Sequence, residues 1–323
     1  MTTSGQILVS AKEVTRVFHG GGGSVKALDG VSFDLVEGKT LALVGESGSG
    51  KTTAARLVLG LDNPNSGSIE VLGEDLGAIK SSELRKLRQS MQVVQQNPYS
   101  QLNRRHSVQR IIETPLMAFN VGDQNSRKNT VIELLEAVGL NSGYLQRRPH
   151  ELSGGQCQRV AIARALALNP KIVVLDEAVS ALDVSVRAQV LNLLRSLQRE
   201  RNLSYLFITH DLGVAHYLAD EIAVMFQGKI VEKGNREDIF KNHRHHYTEN
   251  LISSVPLAEP AGKKKMDEEI EALRNPNPDD ACTFKTRCPV GADRDECGSK
   301  LLQVSSDSKS HEWLCHFPLE RVK

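Results

Sequence analysis

The sequence predicts an α/β protein built on a mostly parallel sheet, and three observations carry that expectation. A short apolar strand at 40–44 runs into a glycine-rich loop and then a helix from Lys51, the strand–loop–helix order of a phosphate loop. After residue 170, strand-like apolar runs at 171–175, 204–208 and 221–226 alternate with a helical stretch at 184–200, the rhythm of a parallel sheet covered by helices. Between 104 and 148 the period changes. Val131, Ile132, Leu134, Leu135 and Val138 share one helical face, which reads as a helical subdomain inserted at about 97–160.

The N-terminal elements are of another kind. The segments Ile7 to Phe18 and Val31 to Leu35 alternate as half-buried strands around a turn at Gly20 to Gly23. Ser66 to Gly73 reads as a further hairpin, so an antiparallel β subdomain is expected beside the parallel core. Past Pro256 the composition shifts to Lys263-Lys264-Lys265, then Asn275-Pro276-Asn277-Pro278-Asp279-Asp280, then a cysteine-bearing tail. The boundary is placed near 255, giving a large domain at 1–255 and a small cysteine-containing C-terminal extension at 256–323. The lysine run reads as a solvated patch.

Composition narrows the function. In 323 residues, 40 basic and 39 acidic side chains leave a net charge of +1, so no bulk field attracts nucleic acid or anionic lipid. No apolar run reaches the roughly 18 residues of a membrane helix, and the start, Met1 to Gln6, has no signal-peptide pattern. The expectation is a cytoplasmic chain that reaches a membrane only through a partner.

The chemistry sits in three motifs. Gly45-Glu46-Ser47-Gly48-Ser49-Gly50-Lys51-Thr52 fits G-x-x-x-x-G-K-[ST] completely. Backbone N–H groups of Gly45, Ser47, Gly48, Ser49 and Gly50, with the start of the following helix at Thr52 and Thr53, face phosphates. Lys51 bridges the outer phosphates and the Thr52 hydroxyl meets Mg²⁺. Ile172 to Glu177 is a buried strand ending in two carboxylates: Asp176 suits the Mg²⁺ shell and Glu177 suits polarising the attacking water. Taken alone, such a pair could equally open a helix. Between them stands Leu152-Ser153-Gly154-Gly155-Gln156. Ser153 and Gln156 form a capping box for a helix running to Leu168, and the two glycines leave bare N–H groups at its first turn, suited to a γ-phosphate.

With these motifs in that order, the chain resembles the ATPase subunits of ABC transporters. The resemblance implies a RecA-like P-loop core, ATP and Mg²⁺ as ligands, and a head-to-tail dimer in which Ser153, Gly154, Gly155 and Gln156 cap the nucleotide of the opposing subunit. It also implies roles for Gln96 as the Q-loop glutamine that senses Mg²⁺, preferred to Gln95, and for Asp183 in Ser180-Ala181-Leu182-Asp183 as the D-loop. His210 is implied as the switch histidine. Phe18 is the candidate adenine platform by ring stacking, a plain core phenylalanine being the alternative. Ala178 stands where the family usually has proline, and Gln101-Leu102-Asn103-Arg104 lacks the proline often found there. Neither departure removes a chemical group.

His245-His246-Tyr247-Thr248 and the segment to Pro256 resemble the C-terminal hallmark of oligopeptide, dipeptide and nickel importer ATPases, with His246 where proline is usual. Cys157, directly after Gln156, resembles the second ATPase of the oligopeptide system and otherwise reads as a small helix residue. His243, His245 and His246 read as a solvated turn before a helix rather than a metal site. Cys282, Cys288, Cys297 and Cys315, spaced C-x5-C, C-x8-C and C-x17-C, supply the ligand count of a [4Fe–4S] cluster or a zinc, and can also remain plain thiols.

The resemblance implies an ATP-hydrolysing subunit on the cytoplasmic face of the membrane that energises import of peptides or a related solute. Its implied partners are a second ATPase subunit and two permease subunits, with an external solute-binding protein engaged indirectly. The rival is a non-transport ATPase of a soluble, phosphonate-cleavage type of assembly. An export ATPase would not be expected to carry this extension.

Overall fold

The computed structural model describes residues 5–20, 23–254, 281–307 and 311–320. The expected boundary at 255, the lysine run at 263–265 and the stretch at 275–280 lie outside them. The strands are β1 (Ile7–Gly20), β2 (Gly23–Val36), β3 (Thr40–Val44), β4 (Ser66–Val71), β5 (Glu74–Asp75), β6 (Met91–Val94), β7 (Ile172–Asp176), β8 (Ser204–Thr209), β9 (Glu221–Phe226), β10 (Lys229–Asn235), β11 (Ser305–Ser306) and β12 (Glu312–Trp313). The helices are α1 (Lys51–Val58), α2 (Ser81–Leu87), α3 (Pro98–Gln101), α4 (Val108–Ala118), α5 (Gln124–Ala137), α6 (Gly154–Leu166), α7 (Val184–Arg201), α8 (Leu212–Leu218), α9 (Arg236–Lys241), α10 (His246–Ser253) and α11 (Glu296–Ser299).

They form two sheets. One is antiparallel, in the order β2-β1-β4-β5; the other runs β11-β12-β10-β9-β3-β8-β7-β6. In the larger sheet β9, β3, β8, β7 and β6 are mutually parallel, and β10 and β12 add antiparallel strands at one side. The α/β expectation with an antiparallel β subdomain is what the chain adopts.

Side-chain alternation explains why the central strands read as continuous apolar runs. Ala42, Val44, Val173, Leu175 and Phe207 face one core with α6 and α7. Leu41, Leu43, Ile172, Val174, Leu206 and Ile208 face the other, with α1 and the β1–β2 hairpin. A strand covered on both sides has no polar face to reveal its period.

Register then places the site. Val44 pairs with Thr209, Asp176 with Ile208 and Val94 with Leu175. The carboxyl ends of β3, β6, β7 and β8 therefore finish within a residue or two of one level, where open α/β sheets bind ligands. Helix α6 stops at Leu166, short of the expected Leu168. Asn169 takes a positive φ of 49°, and the following Pro170 has no N–H to continue the helix.

Candidate nucleotide site

Strand β3 delivers the phosphate loop, and backbone geometry shows why glycine is required at its ends. A Cβ on Gly45 would stand 2.1 Å from the Met225 carbonyl oxygen, and one on Gly50, at φ +106°, would stand 2.4 Å from that of Ala27. Ser47 and Gly48 are exposed at the crest, Ser49 is buried, and Thr52 and Thr53 lie in the first turn of α1. The Lys51 ammonium is folded onto its own loop, donating to the carbonyls of Gly45 and Glu46 at 2.7 Å each and to Ser49 Oγ at 3.3 Å. Burial pushes it below its ordinary pKa, against the pull of Glu177, Asp176 and Glu46.

Facing the loop is the acidic end of β7. Thr52 Oγ1 donates to Asp176 Oδ1 at 3.3 Å. Burial raises the Asp176 carboxyl, as does Glu177, while the Thr52 hydrogen bond and Lys51 lower it. A half-buried carboxylate beside a hydroxyl is an oxygen pair suited to a hard cation. One residue on, Glu177 sits at φ 48°, a left-handed conformation costly for a side chain larger than glycine. Its carboxylate gathers two residues that follow the neighbouring strands β6 and β8: Gln96 Nε2 donates to Oε2 at 2.9 Å, and His210 Nδ1 lies 3.4 Å from Oε1. The three side chains singled out for hydrolysis thus meet at one point. Gln95 instead contributes its carbonyl to Gln101 Nε2.

The helix α6 start has the expected capping box. Ser153 Oγ accepts from Gln156 N at 3.3 Å and Gln156 Oε1 accepts from Ser153 N at 3.0 Å. Gly154 and Gly155 are half-buried rather than exposed: a Cβ on Gly155 would stand 2.5 Å from Val186 Cγ1, and one on Gly154 3.9 Å from Leu182 Cδ2. Among the described residues no hydrogen bond joins Ser153–Gln156 to the phosphate loop of the same chain. Asp183 is exposed at the start of α7. Phe18 is 41 % exposed with Arg16 over its ring at 4.8 Å, so it is not a core residue.

Sequence reasoning missed several side chains that brace this site. Arg187 donates to Asp211, next to His210, and to the Leu182 carbonyl of the D-loop candidate. Tyr99 Oη donates to the Leu152 carbonyl at 3.2 Å, and Arg164 on α6 donates to the Gln101 carbonyl at 2.7 Å, tying the loop after Gln96 to the glycine-pair helix. No sequence spacing signals these contacts, which join separate elements.

Comparison with known proteins places this geometry. The "ABC transporter" family model matches residues 28–180, and the model "Oligopeptide/dipeptide transporter, C-terminal region" matches 231–297. The chain is 43 % identical over 298 residues to the oligopeptide transport ATP-binding protein AppF of Bacillus subtilis, covering 91 % of this chain and 90 % of that one. It is 47 % identical over 267 residues to the dipeptide transport ATP-binding protein DppF of Escherichia coli, covering 82 % and 79 %. The chain belongs to the ATP-binding subunits of oligopeptide/dipeptide ABC transporters. A solved relative, the dimeric cassette MJ0796 bound to ADP and Pi, superposes with a TM-score of 0.65 at 30 % identity, covering 71 % of this chain and 98 % of that one. As a member of this family the chain is an ATPase. None of the comparisons supports the phosphonate-cleavage alternative.

The family's C-terminal region differs from expectation at its histidines. His245 and His246 are buried, not solvated. Burial lowers the His245 pKa to about 4, leaving a neutral ring whose Nδ1 accepts from Tyr247 N at 3.0 Å, while His246 Nε2 pairs with the Phe317 carbonyl. Phe284 and Phe317, from the described residues beyond 280, pack over this turn. Cys157 is fully buried, its thiol pushed up to about 11 by burial, in keeping with an inert helix residue. The four tail cysteines line one cavity with His245, His246 and His316. Burial raises the thiols of Cys282 and Cys297 and pushes Cys315 up to about 12. Among the described residues no three His, Cys, Asp or Glu side chains are grouped to hold a single metal ion.

Proposed function

We propose that this chain hydrolyses MgATP at the site built on Lys51, Asp176 and Glu177 and so energises import of peptides or a related small solute through two permease subunits. The observation that carries the reading is the convergence of Gln96 and His210 on the Glu177 carboxylate, beside the Thr52–Asp176 pair. Glu177 orients and polarises the attacking water, and His210 and Gln96 hold its carboxylate in place. The backbone N–H groups from Gly45 to Thr53 and the Lys51 ammonium take the phosphates. Thr52, Asp176 and Gln96 would hold Mg²⁺, which when bound offsets charge on the phosphate oxygens. Phe18 supplies the stacking face for adenine.

In this reading Ser153, Gly154, Gly155, Gln156 and Asp183 act across a dimer with a second ATPase subunit, identical or homologous, at the cytoplasmic face of the membrane, with an external binding protein delivering the solute. Residues 1–255 form the ATPase domain, with its helical subdomain at about 97–160, and 256–323 form the extension. Glu177→Gln is expected to lower turnover by about 10² to 10⁴-fold while ATP-dependent dimers accumulate in light scattering. Wild-type turnover in that variant would remove Glu177 from the role. Co-purification of permeases and a binding protein from solubilised membranes checks the transport assignment.

A second reading concerns the tail. What supports it is that Cys282, Cys288, Cys297 and Cys315 line one cavity, which supplies the ligand count of a [4Fe–4S] cluster. We propose a structural or sensing [4Fe–4S] site at Cys282, Cys288, Cys297 and Cys315. Anaerobic purification is expected to yield about four irons and four sulfides per chain. Iron-free protein with four titratable thiols would refute it.

A further inference from the structure

The nucleotide reading leaves one side chain of the phosphate loop without a task. The Glu46 carboxylate is gripped by Arg287 in a bidentate pair, Nη1–Oε2 at 2.8 Å and Nη2–Oε1 at 2.7 Å. Arg287 closes a 3-10 turn, Lys285–Arg287, directly before Cys288, and lies 241 positions from Glu46 in the chain. Its guanidinium also stands over the rings of Phe226 and Phe284, at 5.5 and 5.7 Å from their centroids. A guanidinium packed within 6 Å of two ring centroids has fewer arrangements open to it, which lowers the entropy cost of the pair.

The backbone of Glu46 is held as well. Its N–H donates to the Tyr247 hydroxyl at 3.0 Å, and its carbonyl accepts from Lys51 at 2.7 Å. Tyr247 is fully buried, packed against Phe226 at 4.6 Å and Phe284 at 5.4 Å between ring centroids, so its hydroxyl is a fixed point. Both holding residues belong to the C-terminal region matched at 231–297. Side chain, N–H and carbonyl of one loop residue are therefore all fixed, two of the three from that region.

The electrostatics give the contacts a purpose. An unpaired Glu46 carboxylate would stand beside a loop that must receive a polyanion, and its charge already reaches Lys51. Arg287 offsets that charge, and Tyr247 fixes the peptide plane that leads into the crest of the loop. We propose that Arg287 and Tyr247 are positioning residues of the nucleotide site, through which the C-terminal region sets the affinity of the phosphate loop for ATP. The proposal rests on the reading that ATP occupies this loop.

The test is MgATP titration and steady-state ATPase kinetics on the full chain. Arg287→Gln keeps a polar side chain with an aliphatic stem and removes the charge. It is expected to raise Kd and KM for ATP by about two- to five-fold, the range of a part-exposed ion pair, with kcat falling by less than KM rises. In a Glu46→Gln background the same change is expected to leave Kd as it was, since the charge to be offset is gone. Arg287→Lys is expected to recover part of the loss, lacking the fork, and it stands in if Arg287→Gln misfolds. Wild-type Kd in Arg287→Gln, or equal shifts in both backgrounds, would overturn the proposal. Lys51→Ala is the separate control: wild-type affinity there would sink the nucleotide reading itself.

Discussion

At the scale of single residues, the site is held in conformations that ordinary side chains avoid. Glu177 keeps a positive φ, at a cost of about 1–3 kcal/mol. Its N–H donates to Ile208 O and its carbonyl accepts from Ser180 Oγ, and these bonds hold the peptide on either side of the strained position. Strain at the residue that gathers Gln96 and His210 is what a pre-aimed carboxylate requires. Gly45 shows the converse, a place where any side chain collides with backbone. Gly45→Ala would put a methyl 2.1 Å from Met225 O, and rearranging a strand end to relieve it costs about 1–3 kcal/mol or more. The expected outcome is a lower melting temperature together with loss of ATP binding, read by calorimetry and nucleotide titration. An alanine variant with wild-type affinity would show that the loop relaxes freely.

Whole elements carry function through how they end and what they dock against. The capping box at Ser153 satisfies N–H groups at the start of α6, worth about 1 kcal/mol, and so fixes the glycine pair on a rigid support. The C-terminal strand β12 docks on β10, pairing Trp313 with Glu232. Beneath it His311 lies between Glu232 at 2.9 Å and Asp307 at 3.2 Å, with Asp238 also acting on it. Burial lowers the pKa of His311, but these carboxylates outweigh it and leave it above the ordinary 6.5. A pKa raised on folding adds stability that is complete below the unfolded value and is lost as pH rises through the folded one. Docking of β12 is therefore expected to weaken as pH climbs above the ordinary histidine value of 6.5. Trp313 is the one tryptophan of the sequence and is 7 % exposed, so its emission should shift to the red over that range. His311→Gln should flatten the titration. A red shift of equal size in that variant would assign the effect elsewhere.

For the whole molecule, the proposed reading makes each chain supply half of two shared sites. The phosphate loop, Asp176, Glu177, Gln96 and His210 meet on one sheet edge, whereas Ser153–Gln156 make no hydrogen bond to that loop within the described chain. The solved relative with ADP and Pi is a dimer, which supports completion of each site by a second subunit. Ser153→Arg, which puts a bulky cation at the glycine pair, is expected to leave ATP binding by the isolated chain within about two-fold. It should abolish the light-scattering dimers that Glu177→Gln accumulates, an effect of at least tenfold in dimer affinity, or about 1.4 kcal/mol. Dimers of the double variant at the usual ATP concentration would place Ser153 outside the interface.

The amino-acid sequence by itself determined the elements whose residues act through local geometry. The phosphate loop needs glycines at fixed offsets, the β7 end needs two adjacent carboxylates, and the α6 start needs a capping box, so each is legible within eight residues or fewer. Strands β3 and β9 fall at the expected positions because short apolar runs between turn residues have few other packings. Only the tertiary structure decided what is joined across the chain. It brings Gln96 and His210 to Glu177, braces the D-loop candidate through Arg187, buries His245 and His246, and lays Arg287 on Glu46. Those contacts depend on strand register and on the docking of residues beyond 280. A hydrogen bond between positions 241 apart leaves no periodicity for a sequence to show.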